Sequence, residues 1–243
     1  CYQLLGGKYR DKIRLYADTP EPEKPTPEGY AEGVKDRLDR GLTFIKFDIR
    51  MPRYDDRGDR LIGTPTKHEY GLGRRWGAPG TGQVNKITDA GIARMVEVVA
   101  AVREAVGWEV SLCTDHFGHG MMTAKEVIRL GNAVEPYGLS WLEDPMPWWD
   151  IDGHKQVTDA INVPTAAGEE LYLWDGFREM IEKRAVDILH PDLLTSGGML
   201  ETKKIADYGE CYGLPCALHF AGSPIAFMAN LHTAAAIPSF VAL

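Results

Sequence analysis

The chain has 243 residues, 44% hydrophobic and 26% charged, a globular mix that excludes a disordered polypeptide. A formal net charge of −8 excludes unselective nucleic-acid binding, although a local basic site can still hold an anionic substrate. No apolar run approaches the ~18 residues of a membrane span, so neither nucleic acid nor membrane is expected as a partner. The four cysteines, Cys1, Cys113, Cys211 and Cys216, form no CxxC pair and read as reduced thiols of a cytoplasmic protein. No signal peptide is evident, and the opening Cys1 suggests part of a longer polypeptide.

Short β-branched or apolar runs alternate with amphipathic stretches along the chain. The expected strands are 14–16, 44–49, 109–113, 140–142, 163–166, 186–189, 215–218 and 240–243. Residues 21–27, rich in Pro, read as a loop after the first strand. A helix is expected over 88–106, with Thr88 as N-cap, Gly107 as stop, and Ile92, Met95, Val96 and Val99 on one face. Residues 123–137, 175–183, 198–212 and 224–236 carry the same periodicity. Such alternation predicts a parallel sheet with helical crossovers. Eight strands favour closure into a single α/β domain, a (β/α)8-type TIM barrel lacking its closing helix.

One connection breaks the rhythm. Residues 50–86 are rich in Gly, Pro and Arg, and follow the second strand. A loop of this length is functional or a solvated insertion. Tyr54, His68, Tyr70, Arg74, Arg75 and Trp76 favour a substrate-facing lid.

Polar residues end successive strands: Asp115 in CTDHFGH, Glu143 in WLEDP, Glu169 in AAGEE, Asp192 in HPD and His219 in LHF. Each lies about one βα unit after the last, which brings all five to the barrel rim where such enzymes build their sites. Three converging carboxylates would repel one another unless a divalent cation joined them. An all-oxygen set suits Mg²⁺, so Asp115, Glu143 and Glu169 are the expected ligands. Asp192 on the strand beside His219 would fix the imidazole tautomer and raise its basicity. In Phe44-Ile45-Lys46-Phe47-Asp48, period two points Lys46 and Asp48 to one face. A lysine inside a strand stabilises an anion, moves a proton, or pairs with Asp48.

Together, LLGGKYRD, FIKFD, CTDHFG, WLEDP, AAGEEL, HPDLLTSGGMLETKKIAD and the segment from Leu218 to Phe240 resemble the catalytic barrel of the enolase superfamily, in its mandelate racemase/muconate lactonizing enzyme group. The resemblance implies Mg²⁺ on Asp115, Glu143 and Glu169, a His219–Asp192 acid/base pair, and removal of the proton α to a carboxylate to give an enediolate. It also implies an N-terminal α+β capping domain before residue 1. The family's second strand-two lysine is replaced by Asp48, which argues against a racemase. The strand-three histidine of some acid-sugar dehydratases is replaced by Phe117, with His116 and His119 nearby. We assign Lys46 and His116 to catalysis beside His219 and Asp192, and Asp48 and His119 to substrate contact. The α-base stays open among Lys46, His116, His119 and His219. The leading expectation is a homo-oligomeric, Mg²⁺-dependent acid-sugar dehydratase acting on a small carboxylic acid. The alternatives are a racemase, epimerase or cycloisomerase of the same family, a non-catalytic metal-binding barrel, and, less favoured, a zinc hydrolase using the histidines.

Overall fold

The computed structural model describes residues 1–49, 61–62, 86–115 and 122–243. The chain forms two compact units, one of residues 16–165 and one of residues 1–15 with 166–243.

In the first unit, β1 (Ala17–Thr19), α1 (Pro27–Asp39), β2 (Phe44–Asp48), the short strands β3 (Leu61–Ile62) and β4 (Lys86–Ile87), α2 (Asp89–Val106), β5 (Ser111–Asp115), α3 (Ala124–Val134), β6 (Leu142–Glu143) and α4 (Ile151–Thr158) follow one another. Strands β1, β2, β5 and β6 are neighbours in that order, all parallel. The register sets Lys46 opposite Cys113 and Asp48 opposite Asp115. All five residues of β2 are buried, as expected of a parallel strand covered on both sides. Strands β3, within the long connection, and β4, at its end, pair antiparallel. The rest of that expected lid, with His116 and His119, lies outside the described residues.

The helices start where side chains satisfy open backbone donors. Thr26, Thr88 and Thr123 each accept from the N–H three residues on, and Asp150 Oδ1 accepts from Gly153 N–H at 2.9 Å. Helix α2 runs as expected between Thr88 and Gly107, with Met95 and Val99 buried and Ile92 and Val96 packed on the core. Helix α4 has only eight residues, too short for a strong periodic signal, and the sequence reading omitted it. Ile45, Phe47, Val99, Leu112, Val127, Leu130 and Leu142 are all fully buried in one cluster. Burial of side chains of this size stabilises by about 1.5–3 kcal/mol each before entropy is counted.

The second unit continues with β7 (Thr165–Ala167), which begins on the last residue of the first, then α5 (Leu173–Lys183), β8 (Ile188–Leu189), α6 (Met199–Cys211) and α7 (Pro224–Ala236). Strands β7 and β8 are parallel, with Ala167 opposite Leu189. The two further expected strands are present only as isolated parallel bridges, Leu189 with Cys216, Asp192 with His219 and Cys216 with Phe240. Pro191, between the Leu189–Cys216 and Asp192–His219 bridges, carries no N–H and interrupts the ladder there. Backbone bonding nevertheless continues: Leu218 N–H donates to Ala242 C=O at 2.8 Å and Leu243 N–H to Arg14 C=O at 3.1 Å. The first expected strand, 14–16, is displaced to Ala17–Thr19. Arg10 binds the C-terminal end of α7, donating to the carbonyls of Ala234 at 2.6 Å and Pro238 at 2.8 Å. Among the described residues, no helix is long and apolar enough to cross a membrane.

Candidate active site

The first unit places Lys46 between two carboxylates. Its ammonium lies 2.9 Å from Asp115 Oδ2 and 2.7 Å from Glu143 Oε1. Lys46 is 5% exposed, Asp115 4% and Glu143 0%, so these charges interact with little solvent screening. Burial opposes the lysine charge, but Glu143 and Asp115 outweigh it and hold the ammonium well above its ordinary pKa. Asp18, whose pKa is raised chiefly by burial, also feels Lys46. Tyr16 lies beneath the lysine, its ring centroid 5.6 Å from Nζ.

Strand geometry explains the convergence. Parallel pairing of β2 with β5 and of β5 with β6 brings residues distant in sequence side by side. Asp48, two residues beyond Lys46, is also buried. The ion pairs of Lys46 with Asp115 and Glu143 give it a role that the local Lys46–Asp48 reading left out. Trp141, two residues before Glu143, donates its indole N–H to Glu143 Oε2 at 3.0 Å. Sequence reasoning missed Trp141, although period-two alternation puts it on the face of Glu143.

In the second unit, the Asp192–His219 bridge joins the two predicted dyad residues. His219 Nδ1 lies 2.8 Å from Asp192 Oδ2, and Nε2 lies 2.7 Å from Glu169 Oε2. The Nδ1 contact is a hydrogen bond that orients the ring, and the Nε2 side of the ring faces the Glu169 carboxylate. Asp192 Oδ1 accepts from Leu194 N–H at 2.7 Å. Burial alone would raise the Asp192 pKa, but the hydrogen bonds from His219 and Leu194 lower it. The neighbouring Glu170 is pushed up to about 7, first by burial and then by the charge of Glu169. Thr195, another residue the sequence reading omitted, donates to the Glu169 carbonyl at 2.7 Å. His190 is fully buried, donates through Nδ1 to Ala217 C=O, and meets His219 edge to face at 5.6 Å between centroids.

Gly168 sets the course of the backbone into Glu169. Its φ is +136°, and a Cβ there would lie 2.7 Å from the Phe177 ring. The two units therefore hold the expected residues in two sets, Lys46 with Asp115 and Glu143, and Glu169 with Asp192 and His219. The oxygen donors that Asp115 and Glu143 present around Lys46 fit a hard divalent cation.

The family model described as Enolase C-terminal domain-like matches residues 29–243. The chain belongs to the enolase C-terminal domain-like family. Its fold is the α/β, TIM-barrel-like fold of that family, with parallel strands and alternating helices. The chain is 38% identical over its whole length to D-xylonate dehydratase of Haloferax volcanii, covering 53% of that protein. It is 27% identical to D-gluconate dehydratase of Thermoproteus tenax, again over all of this chain and 42% of that protein. Among solved structures, a mandelate racemase/muconate lactonizing enzyme-like protein from Rubrobacter xylanophilus has a TM-score of 0.82 at 34% identity, over 100% of this chain and 59% of that one. A member of the enolase superfamily from Salmonella Typhimurium has a TM-score of 0.80 at 30% identity, over 99% and 58% of the two chains. The chain thus spans about half the length of the relatives it matches.

Proposed function

We propose that this enolase-family protein is a Mg²⁺-dependent acid-sugar dehydratase. The observation that carries the reading is the bond between His219 Nδ1 and Asp192 Oδ2 at 2.8 Å. It supplies an oriented proton carrier, and the relatives that share the whole chain are named as dehydratases of sugar acids.

Asp115, Glu143 and Glu169 would hold the ion. When bound, Mg²⁺ supplies positive charge against the negative charge that develops on the substrate carboxylate as the α-proton leaves. Lys46, ion-paired with Asp115 and Glu143, is assigned the role of fixed charge. His116 is assigned as the α-base, with His119 and Asp48 contacting the substrate. His219, protonated and aligned by Asp192, gives its proton to the departing β-hydroxyl, which leaves as water. The resulting enol takes a proton at the former β-carbon and becomes a 2-keto-3-deoxy acid. A racemase would need a proton carrier on each substrate face, and Asp48 stands where the family's second lysine would supply one.

Incubation of the full-length protein with sugar acids in deuterated water tests these roles. Wild-type protein should form the keto acid. His116→Asn should abolish both α-proton exchange and keto acid. A product that has lost no water, and gains mass only by deuterium at the α-carbon, would replace dehydration by isomerisation.

A further inference from the structure

Trp141 is wholly buried, yet its one polar atom points at a carboxylate. Buried indoles normally find some hydrogen-bond partner, so the contact alone says little. Three further features give it meaning. The partner is Glu143, itself fully buried, and the indole takes Oε2 while Lys46 takes Oε1. The indole ring is fixed from two directions. Phe44 meets it at 4.8 Å between centroids with planes 65° apart, and Tyr16 at 5.5 Å and 87°. Finally, an indole N–H is a neutral donor. It orients a carboxylate without cancelling its charge, whereas the Lys46 ammonium does both.

We propose that Trp141 is a positioning residue that fixes the plane of the Glu143 carboxylate for a divalent cation. The proposal rests on the reading of Glu143 as a Mg²⁺ ligand. Groups behind a metal ligand set its orientation, and their loss typically weakens metal binding 10- to 100-fold. Here the restraint comes from a strand neighbour two residues away. A packed aromatic cluster keeps the donor from turning aside.

Mg²⁺ and Mn²⁺ titrations of the full-length protein by calorimetry test this, with Trp141→Phe and Glu143→Gln as variants. Wild-type protein should bind either ion, and Glu143→Gln should bind neither measurably. Trp141→Phe keeps an aromatic ring, loses the donor, and should bind 10- to 100-fold more weakly. Equal affinity in Trp141→Phe and wild type overturns the positioning role and leaves the metal reading intact. Failure of wild-type protein to bind either ion overturns both.

If Trp141→Phe does not fold, the indole N–H resonance of ¹⁵N-labelled wild-type protein carries the test. Single Trp→Phe variants at each of the other tryptophans of the full-length protein assign it by elimination. It should shift on addition of Mg²⁺ to wild type and stay fixed in Glu143→Gln. A resonance that stays fixed in wild type while calorimetry shows the ion bound overturns the proposal.

Discussion

Lys46 holds two buried carboxylates in place, and its removal should expose how costly their charges are. Lys46→Met would leave Asp115 and Glu143 without the ammonium they share. Breaking a buried pair in this way typically costs about 3–5 kcal/mol. Urea denaturation should show a loss of that order without metal, and saturating Mg²⁺ should recover part of it. A loss below 1 kcal/mol would mean that Lys46 does not hold these carboxylates together. His219→Asn should keep the ring's approximate volume and lose the proton carrier. Keto-acid formation should fall by at least 10²-fold, while α-proton exchange survives if the base is His116, as proposed. Equal loss of both would assign the base to His219. His154 makes a separate prediction about pH. It is fully buried in α4, and burial lowers its pKa to about 4, against the weaker opposing pull of Asp150 and the carbonyls of Pro147 and Met146. The unfolded chain therefore takes up a proton near the ordinary 6.5, which the folded chain accepts only near 4. Stability should fall progressively as pH drops through that window, by on the order of 3 kcal/mol in full. His154→Gln should flatten the dependence measured by urea denaturation between pH 7 and pH 4.5. An unchanged slope would place the acid sensitivity in another group.

At the scale of elements, the segment from β7 into Glu169 depends on Gly168. Gly168→Ala must accept a left-handed φ and a Cβ pressed against Phe177. It should cost roughly 1–3 kcal/mol in stability and reduce turnover by displacing Glu169. Thr88→Ala, which removes only the N-cap of α2, should cost about 1 kcal/mol and leave turnover unchanged. Parallel kinetics and denaturation on the two variants separate a shift of Glu169 from general weakening. Equal turnover in both would sever Gly168 from the site. Elements of this kind were unevenly legible in the sequence. Helix α2 could be read from Thr88, Gly107 and the spacing of Met95 and Val99, because those signals are local. The 215–218 and 240–243 segments read as strands from their apolar runs, but they pair only through isolated bridges. The His219–Asp192 pair was foreseeable from strand-end spacing. The partners of Lys46 were harder, since the nearest acid in sequence is Asp48 whereas parallel register delivers Asp115 and Glu143. Trp141 was masked for a related reason. A tryptophan in an apolar strand reads as core, and only the fold shows that its N–H meets a carboxylate.

For the molecule as a whole, each compact unit carries its own part of the chemistry: a lysine-bridged carboxylate pair in residues 16–165, and an imidazole between two carboxylates in residues 166–243. Neither set alone performs a dehydration. In the proposed dehydration, the carboxylates and lysine manage the charge of the substrate acid, and His219 manages the leaving hydroxyl. Family membership accounts for the order in which these residues occur along the chain. The central claim, Mg²⁺-dependent dehydration of a sugar acid, is tested most directly by a keto-acid assay of the full-length protein on a panel of five- and six-carbon sugar acids, with Mg²⁺ and with a chelator. The account predicts a 2-keto-3-deoxy acid from at least one of them, abolished by the chelator and restored by added Mg²⁺. Absence of keto acid from every sugar acid tested, or turnover indifferent to the chelator, would contradict it.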